Sequence, residues 1–230
     1  SSTSRGLGDV YKRQLPLLKS YRQKAYVERA QHPIKDTFRQ LGRTFRDASK
    51  EKHILIYLIA FFFFIDGVYT IIDMATAYGT ALGLDSTGLL LALLVTQFVA
   101  FPFAILFGRL SAAKDTGKLI KLCILAYTGI TLFAVFLKSQ WQFWVLAVLV
   151  GMFQGGIQAL SRSHFAKIIP PEKSGEYFGL FDICGKGASF LGTMIVSVGS
   201  QLTGSANVGV GSLIVLFIVG FVLFRVSDQK

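Results

Sequence analysis

Two carboxylates, Asp66 and Asp73, stand inside a long apolar run. A charge at the centre of a membrane helix costs about 2.5–3.5 kcal/mol on insertion scales. Such residues persist where they face a cavity or a partner, which makes each a functional candidate. Seven helical steps of roughly 100° return Asp73 to nearly the face of Asp66, about 10 Å along the axis. Thr70 lies between them on that face. Two carboxylates lining one cavity can bind a cation or carry protons. In the competing reading, Asp66 only accepts hydrogen bonds from a neighbouring helix and Asp73 reaches the outer water.

Further along the chain, Asp182 and Lys186 stand at i, i+4, a spacing that allows an intrahelical ion pair. The alternative is a structural pair near a helix end, with Lys186 snorkelling to the interface. Gln154, Gln158 and Ser161 share one helical face, with Arg162 beside them. Amides so placed orient a polar solute or hold helices together. Gly151 and Gly155 form a GxxxG pattern, and Gly185, Gly192 and Gly199 make a seven-residue stripe. Small faces of this kind are expected to pack helices closely. Pro102 is expected to kink the helix that carries it.

These residues need long helices to hold them. Of 230 residues, 52% are hydrophobic and 16% charged, against roughly 25% charged in soluble domains. The apolar residues fall into runs expected to form six transmembrane helices at 54–81, 89–108, 119–137, 143–160, 177–201 and 208–224. A span needs about 20 residues, so the first and fifth are long enough to tilt or kink. The fold class expected is all-α, a six-helix membrane bundle over 54–230. Residues 15–53 are basic and include an amphipathic pattern (Ile34, Phe38, Leu41, Phe45) behind Pro33. They read either as a helix on the inner membrane surface or as a solvated linker helix. Residues 1–14 (SSTSRGLGDVYKRQ) have no helical or strand periodicity and resemble a translated sequencing adaptor. They are set aside as a non-native leader, with the natural protein expected to continue upstream.

The net charge of +11 follows from loop bias rather than from a nucleic-acid surface, because no basic cluster sits on a foldable soluble domain. Ten Lys/Arg lie between Leu15 and His53, and none in 82–88. Arg109, Lys114 and Lys118 follow, then Lys138 alone, then Arg162, Lys167 and Lys173, then a loop with none, then Arg225 and Lys230. The alternation places both ends of the chain in the cytoplasm and supports an even number of spans. The two cysteines, Cys123 and Cys184, lie in apolar segments without metal spacing. No cofactor or metal is called for.

The segment Asp66-Gly67-Val68-Tyr69-Thr70, with Asp73-Met74-Ala75 and Tyr78-Gly79 behind it, resembles the vacuole-effluxer-like family of the major facilitator superfamily. So does Gln154-Gly155-Gly156-Ile157-Gln158-Ala159-Leu160-Ser161-Arg162-Ser163, followed by Pro170-Pro171-Glu172 and by the stretch from Glu176 to Lys186. The similarity runs from Leu15 to the C-terminus. It implies that the six helices are the second six of twelve, that the basic stretch is the central cytoplasmic loop, and that an N-terminal six-helix half is the missing partner. The loop from Gly108 to Lys118 departs from the superfamily pattern. Ala112 stands where an acidic residue is usual and Asp115 where a glycine is, which puts that loop's gating role in question.

The function this implies is secondary active transport of a small solute, amino acids or related metabolites, by alternating access with proton coupling, in the plasma membrane. A channel or a non-transporting scaffold is the alternative, though no filter-like run of carbonyl loops is evident. An intramembrane enzyme is disfavoured. Asp66 and Asp73 share one helix, whereas an aspartyl protease draws its carboxylates from two.

Overall fold

The structure is a computed structural model that describes residues 33–228, with the side chains of 39 and of 41–228. The leader at 1–14, the start of the basic stretch, and the side chains of Ile34 and Phe38 lie outside the described residues. The described residues from 40 onward form one compact unit. Helix and turn account for all of its regular structure, and no strand occurs among the described residues.

Six helical segments are long and apolar enough to cross a membrane. They are Lys52–Asp73, Ser86–Ala113, Thr116–Val135, Gln140–Ile168, Pro171–Thr203 and Ala206–Ser227, termed here the first to sixth spans. Polar side chains cap the N-termini of the second, third and fourth spans. The Asp85 side chain accepts the Gly88 N–H at 2.7 Å, and Asp115 accepts the Gly117 N–H at 3.0 Å. Asp115, unusual for its loop, therefore caps the third span. The first span stops at Asp73 and a short helix, Ala75–Ala81, continues the run. The expected 54–81 segment is thus two helices. The second span remains one helix through Pro102.

The spans are locked where side chains permit close approach. On the fourth span, a Cβ at Gly151 would stand 2.7 Å from the Thr96 carbonyl, and one at Gly155 would stand 2.8 Å from Ala104 Cβ. Only glycine lets the second and fourth spans meet this closely. Tyr57 Oη donates to the Ser161 carbonyl at 2.7 Å, joining the first and fourth spans. Tyr78 Oη donates to the Ala134 carbonyl at 2.6 Å. At one end of the bundle Lys121 Nζ meets Asp228 Oδ2 at 2.6 Å, tying the third span to the sixth. Large apolar side chains face outward, Phe98 and Phe101 being 73% and 71% exposed, which suits a lipid environment.

The helix Pro33–Lys50 precedes the first span. Thr44 and Ala48 are buried, whereas Phe45 is exposed. These packed positions are small, and the contacts beside them are polar. Thr44 Oγ1 donates to Glu176 at 2.8 Å and Lys173 Nζ to Asp47 at 2.7 Å. The hydrogen bond and charge of Lys173 hold the Asp47 carboxyl below the usual carboxylate range.

Candidate functional site

The fifth span is not one helix. It comprises a 3₁₀ turn at Pro171–Lys173, a helix Ser174–Gly187 (α1 below) and a helix Phe190–Thr203 (α2 below), interrupted at Ala188 and Ser189. Ser189 has φ +79°, the one positive φ outside glycine among the described residues. A left-handed serine costs about 1–2 kcal/mol, so the surrounding structure must hold it there.

A cavity of about 490 Å³ opens beside this interruption. Its wall carries Asp73, Gln158, Arg162, Asp182 and Lys186, with Tyr69, Ala188 and Ser189. The first, fourth and fifth spans thus bring four charged groups and an amide to one space. Arg162 Nη2 meets Asp182 Oδ1 at 2.9 Å. The guanidinium also lies over the rings of Phe178 and Phe181, at 5.3 and 5.9 Å from their centroids. Arg162 is therefore fixed in place. The local pair allowed by the spacing of Asp182 and Lys186 does not form, because Arg162 reaches Asp182 from the fourth span. Lys186 and Asp73 make no ion pair among the described residues. Among the described residues the cavity accordingly presents one cation and one carboxylate that make no ion pair.

Asp66 is absent from that wall and is fully buried. Its two carboxylate oxygens accept the Gly192 N–H at 3.1 and 3.2 Å. The backbone N–H groups of Ser189 and Leu191 also turn toward it. Thr70 Oγ1 donates to Oδ1 at 3.4 Å. The carboxylate thus sits at the N-terminus of α2, where orphan N–H groups and the helix dipole favour an anion.

Thr70 also borders a second, smaller space of about 50 Å³, lined chiefly by Ile72, Tyr78, Phe143, Leu146 and Val210. Nearly everything on its wall is apolar, so it suits packing rather than a polar solute. Gln154 lies on neither wall, and its Oε1 is buried without a hydrogen-bond partner among the described residues. Of the residues singled out by sequence, Asp73, Gln158, Asp182, Lys186 and Gly185 meet at the larger cavity. Asp66, Thr70 and Gly192 meet behind it. Gly151, Gly155 and Pro102 lie away on the second and fourth spans. Arg162, which the sequence sets beside the amide face, joins the first group on the cavity wall, as do Tyr69, Ala188 and Ser189, which were not candidates. Nothing in the sequence marks those three, since such residues are ordinary in a membrane helix.

The chain was compared with known proteins. The family model for "Vacuole effluxer Atg22 like" proteins matches residues 13–230. The MFS-type transporter YxiO of Bacillus subtilis (strain 168) is 43% identical over 217 residues, 94% of this chain and 50% of that protein. Autophagy-related protein 22 of Saccharomyces cerevisiae (strain ATCC 204508 / S288c) is 28% identical over 202 residues, 83% of this chain and 38% of that protein. Autophagy-related protein 22-2 of Aspergillus niger is 24% identical over 215 residues, 86% of this chain and 36% of that protein. The chain spans about half the length, or less, of these relatives. It is a multi-pass membrane protein, and its family and relatives point to a transporter rather than an enzyme. With six spans and a family match across almost its whole length, the chain belongs to the vacuole effluxer Atg22-like family.

Proposed function

We propose that this chain is one half of a secondary active transporter that moves a small polar solute by alternating access. The observation that carries the reading is the cavity of about 490 Å³ with Asp73, Gln158, Arg162, Asp182 and Lys186 on its wall. Charges inside membrane spans are costly and mark solute or ion routes. Transporters of this architecture place such routes between two six-helix halves that rock around them. The partner half would be an N-terminal six-helix unit, and the relatives, about twice as long or longer, leave room for one. The loop charges favour both ends of this chain on the cytoplasmic side of the plasma membrane.

The substrate class we assign is zwitterionic, with amino acids first. Lys186 is free to meet a carboxylate and Asp73 to meet an ammonium group, while Arg162 is committed to Asp182. Asp73 is also the carboxylate we assign to proton coupling, because it faces the cavity without an ion pair. The test is counterflow of radiolabelled neutral amino acids, each tested singly, by the full-length transporter in liposomes with and without a pH gradient. Saturable, pH-gradient-dependent counterflow is expected, with KM raised about tenfold in Lys186→Gln for the loss of one charge-assisted contact. Absence of saturable flux, or flux through the isolated half, would overturn the reading.

A further inference from the structure

Most of the polar groups near the cavity have a place in the transport reading; Asp66 does not. A charge buried in a membrane span normally finds a counter-ion, yet no Lys or Arg lies within ion-pair distance of Asp66 among the described residues. What compensates it is backbone. The fifth span breaks at Ala188 and Ser189, which leaves the first N–H groups of α2 without acceptors one turn back. In lipid no water can satisfy them. A left-handed residue followed by a helical one turns successive N–H groups to a common point, an anion-binding nest. Ser189 supplies the left-handed residue. The Gly192 N–H bonds both Asp66 oxygens, and the Ser189 and Leu191 N–H groups point the same way. The helical ladder itself restarts only with Thr193 N–H to the Ser189 carbonyl at 3.1 Å. Gly192 is what allows the approach, since a Cβ there would lie 2.9 Å from Thr70 Cβ and 3.1 Å from Asp66 Oδ1.

The same interruption forms part of the cavity. Ala188 and Ser189 line it, as do Asp182, Gly185 and Lys186 on the turns of α1 just before it. We infer that Asp66 is a positioning residue: a stationary cap, supplied by the first span, that holds the break in the fifth span open and thereby places Lys186, Ala188 and Ser189 on the cavity wall. It neither touches solute nor carries a proton. This inference rests on the transport reading for its effect on solute, but the cap itself can be tested without transport.

The experiment uses the full-length transporter in liposomes with two readouts. The first is alkylation of the native Cys184 by N-ethylmaleimide, resolved by peptide mass spectrometry, with the buried Cys123 as internal reference. Cys184 is half-buried, about one turn before the break. The second is KM and the pH profile of counterflow of radiolabelled neutral amino acids. Asp66→Ala is expected to speed Cys184 labelling, leave Cys123 unchanged, and raise KM by about tenfold or more, the loss typical of a hydrogen bond to a charged group. Asp66→Asn keeps an acceptor oxygen, so it is expected to preserve the wild-type pH profile with a smaller rise in KM. Should Asp66→Ala fail to insert, Asp66→Asn and the milder Thr70→Val decide on the same two readouts. Wild-type labelling of Cys184 in Asp66→Ala, or loss of the pH profile in Asp66→Asn, overturns the proposal. No flux from the wild type with faster Cys184 labelling in Asp66→Ala would remove the transport reading and leave the cap standing.

Discussion

Asp66 and Asp73 lie on one helix, seven residues apart, and the regions around them share almost nothing. Around Asp66 the protein is sealed: the carboxylate is fully buried and faces N–H groups of an interrupted helix. Around Asp73 it is open: the carboxylate is exposed on a cavity wall that also carries Gln158, Arg162 and Lys186. The fifth span repeats the contrast, with Gly192 pressed against the sealed site and Gly185 at the cavity, where an added Cβ would meet Phe61 only at 3.7 Å. Spacing on one helix sets which face a residue is on; the neighbours of that face set whether the residue can do chemistry. A buried carboxylate whose lone pairs are filled by backbone is structural by construction, whereas one without a partner is available.

The strongest way to break this comparison is truncation of both carboxylates. Asp66→Ala strands at least one buried N–H, and the full-length protein in detergent should lose on the order of 3 kcal/mol against denaturant or heat. Asp73→Ala should shift stability by no more than about 0.5 kcal/mol, as for an exposed side chain. Equal losses would erase the distinction. Next in size is the glycine pair. Gly192→Ala should cost roughly 1–3 kcal/mol by overpacking against Thr70 and Asp66. Gly185→Ala, with its nearest contact at van der Waals distance, should be neutral or gain up to about 1 kcal/mol from helix propensity. Thermal unfolding monitored by intrinsic fluorescence separates these outcomes.

Function sharpens the comparison further. Asp73→Asn should remove the pH-gradient dependence of counterflow while leaving the unfolding midpoint at its wild-type value. A stable variant that keeps that dependence would relieve Asp73 of its coupling role. The smallest effect lies outside both regions, at the Asp47–Lys173 contact. The hydrogen bond and charge of Lys173 hold Asp47 below its ordinary value, so the tether is fully present above the usual carboxylate range. It is lost as pH falls through the lowered value. A spin label at Phe45 should therefore show unchanged mobility from neutral pH through the ordinary carboxylate range and loosen only below it. Loosening at or above that range would contradict the lowered value.

Much of the fold was legible because membrane spanning is a nearly one-dimensional property. An apolar run of sufficient length is a span wherever it occurs, and all six were read within several residues of their ends. The features left unread have a common cause. The length of the 54–81 and 177–201 runs signalled a tilt or kink, but continuous apolar character does not say where the backbone turns, at Asp73 in the first. The break at Ala188–Ser189 left no proline to announce it, and it depends on a cap 126 residues away in sequence. Asp182 was read against Lys186, its neighbour by helical spacing, while its observed partner Arg162 stands 20 residues earlier on another span. The helix Pro33–Lys50 docks through polar contacts of Thr44 and Asp47, which hydrophobic periodicity along the helix does not report.

The sequence by itself determined the six spans, their expected orientation and the short roster of polar residues that a membrane does not carry idly. Each follows from composition over one stretch of chain. Only the tertiary structure decided which carboxylate is sealed and which is open, which cation is spent on Asp182, and where the fifth span breaks. Those outcomes depend on desolvation and hydrogen-bond partners contributed by other spans, and no periodicity along one helix encodes them.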